Sequence, residues 1–320
     1  MAALHRKVDE IATLIRPESP VVYLDYPVYA NIGDLLIEEG TECFLRDHGL
    51  PVVKVRSALN FSAADAAALD PGATIVLQGG GNFGDLYDLH QRFRERVVTQ
   101  CPDQRIILLP QTMYFSSNER LAECAAVFGR HQDLHVCLRD AGSYDFFRRH
   151  FRNPAYLVPD MAHCLWPAYA PHRTVVSRSP TLVFERRDEE SRSLPVVGGA
   201  ATRVDWEDTL RLTDRVMLRA LLGLHVNHAQ LLPGQEIYGL WRLFRRRLTG
   251  RAARLVTRYE RVVTNRLHVA ILGLLTGRSV AMGDNCYGKL SAYHACWLAD
   301  MPTVTLLDST RPFRLATAAE

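Results

Sequence analysis

Short runs of consecutive apolar residues constrain this fold more than any other feature of the chain. "VVYLDY" at 21–26, "VVKV" at 52–55, "TIVLQ" at 74–78, "RIILLP" at 105–110, "LHVCLR" at 134–139 and "AYLVPD" at 155–160 are separated by segments with helical spacing. A strand with one face in water alternates apolar and polar residues, whereas a run apolar at successive positions predicts a strand covered by helices on both faces. Strands alternating with helices predict a parallel sheet, so Val21 to Asp160 reads as a doubly wound α/β domain. After the irregular "HCLWPAYAPHRTVVSRSP" the pattern resumes with "TLVFE" at 181–185, a helix from about Trp206, "RVVTN" at 261–265, "SVAMGD" at 279–284, a helix from about Lys289 and "TVTLL" at 303–307. A length of 320 residues favours two cores over one, and the expected domains are 1–170 and 171–320. Ligands of such sheets bind at the carboxyl ends of the strands.

Composition narrows the function classes. A net charge of +3 argues against a nucleic-acid coat while leaving room for local basic patches. Seven cysteines without a C-x-x-C pair do not suit a disulfide framework, so a cytosolic protein is expected. The amino-terminal "MAALHRKVDEIATLIRPESP" mixes acids and bases and reads as a short amphipathic helix, not a secretory signal. The longest apolar run, Leu267 to Leu275, has nine residues against the roughly 20 needed to span a bilayer. Membrane contact is therefore expected to be peripheral.

Three loops and one helix start carry the candidate chemistry. "YPVYANIGD" follows the first strand and "QGGGNFGD" the third, and both end in Asn, an apolar residue, Gly and Asp. Glycines let backbone N–H groups approach a ligand and the next helix adds its positive terminus, which makes Asn31, Gly33, Asp34, Gly80, Gly81, Asn82 and Asp85 a candidate donor or acceptor loop. Turn geometry alone is the alternative, with Asp34 and Asp85 as helix caps. Neither loop is a G-x-G-x-x-G, and no G-x-x-x-x-G-K-[ST] occurs. In "LHVCLRDAGSYDFF", Arg139 stands where a strand gives way to a helix, placed for an anion or for an ion pair with Asp140 or Asp145. In "RVVTNRLHVAILGLLTG", Asn265 reads as an N-cap and Arg266, Leu267 and His268 as the first turn, whose N–H groups lack helical partners. An arginine fork beside an imidazole there suits an anion and a proton transfer.

In these residues the chain resembles the polysaccharide pyruvyltransferase family. The resemblance rests on "NIGD" at 31–34, "GGGNFGD" at 79–85, "RDAGS" at 139–143, "VPDMA" at 158–162, "RRDEE" at 186–190, "TNRLH" at 264–268 and "GDNCYGK" at 283–289, taken in order and spacing. It implies two Rossmann-like domains of the GT-B type with the active site in the interdomain cleft. It also implies transfer of the enolpyruvyl unit of phosphoenolpyruvate to a sugar as a ketal, with no metal and no cofactor beyond the donor. His268 would be catalytic; Arg139, Arg266, Leu267 and His90 would hold the donor. Val269 departs from the small residue that relatives often carry after the histidine. Rival readings are a nucleotide-sugar glycosyltransferase of the same fold and a sugar-phosphate binding protein without catalysis.

From Trp241 to Arg261 the chain is rich in arginine, with Glu260 as the single acid. A basic helix with interleaved apolar residues suits an anionic bilayer or the diphosphate of an isoprenoid-linked oligosaccharide. Arg245, Arg246 and Arg247 are the candidate contacts, at the inner face of the cytoplasmic membrane. A solvated basic face is the alternative.

Overall fold

The computed structural model describes residues 1–170, 179–187, 194–197, 201–227, 234–284, 288–308 and 313–314. Part of the irregular segment (171–178), residues 188–190 of "RRDEE" and 285–287 of "GDNCYGK", with Cys286, lie outside the described residues. In chain order the first half runs α1 (Ala2–Asp9), β1 (Val21–Leu24), α2 (Ile32–Asp47), β2 (Val52–Arg56), α3 (Ala63–Ala67), β3 (Thr74–Leu77), β4 (Gly80–Gly84), α4 (Asp88–Gln100), β5 (Arg105–Tyr114), α5 (Asn118–Phe128), β6 (Leu134–Leu138), α6 (Ala141–His150), β7 (Ala155–Leu157) and a 3₁₀ turn, Met161–Leu165. It continues with β8 (Ser179–Phe184), β9 (Val196–Val197), β10 (Thr202–Val204), a 3₁₀ turn at Trp206–Thr209, α7 (Leu212–Val226), α8 (Gly234–Val256), β11 (Tyr259–Thr264), α9 (Leu267–Leu275), β12 (Ser279–Met282), α10 (Lys289–Trp297), β13 (Val304–Leu306) and β14 (Phe313–Arg314).

Two parallel sheets result. The first is ordered β2-β1-β3-β5-β6-β7, with β4 also paired to β5; the second is β10-β8-β11-β12-β13, and β9 pairs β14 apart from both. The two large sheets share one winding rule: the chain adds its second strand on one side of the first, then its third on the other. Each therefore reverses direction between its first and third strands, at β1/β3 and at β8/β11. At such a point the loops leaving the two strands diverge and open a crevice beyond their carboxyl ends.

The consecutive apolar runs are explained by burial on both faces. Val22, Leu24, Ile75 and Leu77 face one cluster with Phe93, Phe128, Phe147 and Phe151, while Val21, Tyr23, Val76 and Ile107 face another. That second cluster continues through α2, α8 and α9 to Leu182, Phe184, Val262 and Met282 of the second sheet. Separate cores were expected for the two halves; the buried apolar surface between the sheets is instead continuous. α9 supplies much of it, with Val269 to Leu275 buried.

Three local expectations are corrected. "GGNFG" is a strand rather than a loop, because Gly84 (φ +130°) approaches Tyr114 so closely that a Cβ would lie 1.7 Å from its carbonyl oxygen. Asn265 does not cap the helix after β11: Arg266 holds the N-cap position without a side-chain capping bond, and the Asn265 side chain accepts the Arg186 N–H at 2.7 Å. The basic segment from Trp241 is helical only to Val256, and Tyr259 onward joins the second sheet. Among the described residues no helix is long and apolar enough to cross a membrane.

Candidate functional site

A cavity of about 500 Å³ lies where the two reversal points meet. From the first sheet it is lined by Tyr29, Asn31 and Asp34 after β1, Gly81 and Asn82 in β4, His90 in α4 and Arg139 after β6. From the second come Arg186 after β8, Trp206, and Asn265, Arg266, Leu267 and His268 after β11, with Lys289 opening α10. Asn31 caps α2 by accepting the Gly33 N–H at 3.0 Å, and Asp34 sits in that helix's first turn. Gly80 lies beside Asp34. Asp85 does not line the cavity. It accepts the N–H groups of Ser116 and Ser117 and pins the start of α5, an assembly of hydrogen bonds that outweighs its partial burial and lowers its pKa.

Arg139 and His268 come together although 129 positions separate them. Their common partner is Asp160, which heads the Met161–Leu165 turn. Arg139 Nη1 donates to Asp160 Oδ2 at 2.6 Å, and His268 Nε2 lies 3.3 Å from the same oxygen and 3.5 Å from Arg139 Nη1. Burial opposes the Asp160 charge, but His268 first, then Arg139 and the Ala162 N–H, outweigh it and hold the carboxyl well below its ordinary range. The alternative reading of Arg139, an ion pair with Asp140 or Asp145, is not what the structure shows; its ion pair is with Asp160. Asp140 instead caps α6 through the Ser143 N–H. Arg139 Nε donates to Thr112 at 2.8 Å. Its Nη2 has no hydrogen bond to a described residue and faces Gly81.

His268 is held from its other side as well. A Cβ at Gly33 would lie 2.6 Å from His268 Nδ1, so the ring fits only over a bare backbone. Behind Asp160, the Tyr293 hydroxyl accepts the Asp160 N–H at 3.1 Å and meets His163 Nε2 at 2.7 Å. Burial keeps His163 neutral by pushing its pKa down to about 4.

A second histidine faces the cavity from the first sheet. His90 Nδ1 is 2.8 Å from Asp25 Oδ1, and Arg94 stands 3.7 Å from the other Asp25 oxygen. Asp25 is buried at φ +68°, a conformation that costs a non-glycine residue on the order of 1 kcal/mol and that clusters at functional sites. Arg266 is engaged fork to carboxylate, Nε and Nη2 reaching Asp205 at 2.5 and 2.7 Å. Asp25 and Asp205 carry no sequence signal, since an isolated acid after a strand gives none by itself, and Asp160 stands in the sequence only within the "VPDMA" motif, without a role attached.

The basic helix is corrected more strongly. Arg245 is fully buried, donating to Glu38 at 2.7 Å and to Glu42 on α2. Breaking such a pair costs about 3–5 kcal/mol, so Arg245 holds α8 to α2 and is not a lipid or acceptor contact. Arg246 and Arg247 are half-exposed, near Glu42 and Asp214, and none of the three lines the cavity. Their acids come from elements distant in sequence.

Comparison with known proteins bears on this geometry. A family model described as polysaccharide pyruvyl transferase matches residues 31–282. The chain is 36% identical over 308 residues to EpsO of Bacillus subtilis, named a putative pyruvyl transferase, covering 96% of this chain and 94% of that protein. It is 25% identical to pyruvyl transferase 1 of Schizosaccharomyces pombe, over 87% of this chain and 69% of that one. A crystal structure of a functionally uncharacterised Klebsiella pneumoniae protein superposes with a TM-score of 0.66 at 19% identity, covering 97% of this chain and 100% of the other. That likeness speaks for the fold alone.

Proposed function

This chain belongs to the polysaccharide pyruvyl transferase family, and from that premise we propose that it moves the enolpyruvyl unit of phosphoenolpyruvate onto a sugar of a surface polysaccharide or of its lipid-linked precursor. The product is a pyruvate ketal, with phosphate released. The observation that carries this reading is the junction of Arg139, Asp160 and His268 at the meeting point of two sheets that repeat one strand order. That repetition supports a GT-B type pairing of two Rossmann-like domains with the site between them.

Phosphoenolpyruvate carries a carboxylate and a phosphate on one small frame, so its site needs donors fixed in direction. Arg139 meets that need: Thr112 and Asp160 hold its Nε and Nη1, and Nη2 is left toward the cavity. A hydrogen bond to a charged group contributes about 1.5–3 kcal/mol. Arg266 is the weaker contact, because the anion competes with Asp205 for its fork. Arg186 and Lys289 add charge on the same wall, and His90, oriented by Asp25, borders the donor.

His268 is the acid. Its Nε2 is the nitrogen nearest Arg139, and the long 3.3 Å approach to Asp160 is weak enough to exchange for substrate. The imidazolium protonates the donor methylene, making it a methyl group, while a sugar hydroxyl bonds to the neighbouring carbon. Phosphate then leaves and a second hydroxyl bonds to the same carbon. Of the two hydroxyl protons, one replaces that taken by the methyl group and one goes to the departing phosphate. The Asp160 carboxylate beside the ring stabilises the imidazolium charge. No step needs a metal, and the donor is a substrate rather than a cofactor. An acceptor on an isoprenoid diphosphate would place the enzyme at the inner face of the cytoplasmic membrane.

Thermal shift with phosphoenolpyruvate and with a nucleoside diphosphate, alongside phosphate release in the presence of candidate sugars, tests the reading. A rise in melting temperature with phosphoenolpyruvate and sugar-dependent phosphate release are expected. A rise with the nucleotide alone would favour a glycosyltransferase, and binding without release would favour a non-catalytic protein.

A further inference from the structure

Helices α7 and α8 lie side by side, joined by buried Asp214, which takes Arg247 at 3.3 Å and Arg251 at 2.7 Å. Each packs inward through one face: Leu221 and His225 on α7, Trp241 and Phe244 on α8. The opposite faces break the usual surface pattern. Leu212 is 77% exposed, Leu243 66% and Val216 60%, a concentration of large aliphatics that a solvated helix pair has no reason to carry. Helical spacing sets Arg219 in line with Leu212 and Val216, while Arg247, one turn beyond Leu243, is turned to Asp214. Arg215 borders the same stripe, and Glu236 is the one exposed acid among the described residues of the two helices.

We propose that this ridge seats the protein on an anionic bilayer. Aliphatic side chains on arginine-bearing helices suit the headgroup boundary, where the apolar tips enter and the guanidinium groups meet lipid phosphates. Charge selects this partner over a second copy of the chain. A two-fold contact would bring two like-charged ridges together, whereas an anionic surface complements the charge. Position agrees with function: α7 starts at Leu212, separated by two residues from the Trp206–Thr209 turn, and Trp206 lines the cavity, although the turn also exposes Glu207 and the Arg187-paired Asp208. A sugar held at a lipid surface would thus enter beside the seated ridge. This purpose rests on the pyruvyl-transfer reading; the surface itself does not. It also moves the membrane contact expected of Arg245, Arg246 and Arg247 to the exposed aliphatic sides of α7 and α8.

Flotation of the full chain, without substrate, with vesicles of equal parts phosphatidylglycerol and phosphatidylcholine and with pure phosphatidylcholine vesicles tests the proposal. The native chain is expected to float with the anionic vesicles, and less at high salt. Leu212→Glu with Leu243→Glu should lower the bound fraction at least about tenfold. Arg215→Gln with Arg219→Gln should lower it roughly fivefold per arginine. Both variants should keep the native melting temperature and the native phosphate release with a water-soluble sugar. A native chain that floats with neither vesicle, or aliphatic variants that float as well as native, overturns the proposal. So does a concentration-dependent dimer abolished by the same substitutions. Intact flotation from a chain that releases no phosphate upholds the surface and counts against the reaction alone.

Discussion

Two histidines face the same cavity, each beside a buried aspartate, yet the pairs are built differently. His90 and Asp25 are locked: the contact is 2.8 Å, made through Nδ1, and the acid sits on a left-handed backbone. His268 and Asp160 are loose: the approach is 3.3 Å and the acid spends its better hydrogen bond, at 2.6 Å, on Arg139. A tight pair fixes a ring for holding. A loose one, over a glycine and at the start of a helix, leaves the imidazole able to change partner and proton, which is why we propose chemistry for the second pair and positioning for the first.

The largest expected effect separates them. His268→Ala should lower turnover by about 10²–10⁴ while the melting shift with phosphoenolpyruvate stays, whereas His90→Ala should lower donor affinity roughly tenfold with most of the turnover kept; equal losses in steady-state kinetics would erase the distinction. Arg139→Gln should abolish the donor's melting shift. It should also destabilise the fold by about 3–5 kcal/mol, because Asp160 is left charged and buried, and urea unfolding reads that loss. Gly33→Ala is milder: a methyl 2.6 Å from His268 Nδ1 must push the ring, and turnover should fall about tenfold to a hundredfold with little change in melting temperature.

Acidity gives the smallest difference at neutral pH. His163 titrates at about 4 in the fold against an ordinary 6.5 because burial penalises its charge. The unfolded chain therefore binds more protons between those values, and stability falls as pH drops through them. The depressed Asp160 carboxyl adds to the loss further down: its contribution is complete above the ordinary carboxylate range and disappears as pH falls through its folded value. Urea midpoints of His163→Gln should depend less on pH between about 6.5 and 4 than those of the native chain, and an unchanged slope would clear His163 of that role.

Sequence made the strands legible because burial on both faces writes a continuous apolar run, and strand ends then located Arg139 and the Arg266–His268 corner. The partners were not legible. Asp160, Asp25 and Asp205 act through contacts that sequence order does not record, and Asp205 changes how Arg266 is used. The basic helix shows the same limit in reverse: its arginines look unopposed until Glu38, Glu42 and Asp214 arrive from α2 and α7. The "GGNFG" strand was missed because glycines signal a loop unless the Tyr114 carbonyl that demands them is in view.

Mass spectrometry of a candidate sugar incubated with phosphoenolpyruvate and either native chain or His268→Ala addresses the central claim most directly. Native enzyme should add one pyruvate ketal per phosphate released, and the variant, still stabilised by phosphoenolpyruvate, should add almost none. A variant that forms the ketal at near-native rate would contradict the assignment of His268 as the acid between the two sheets.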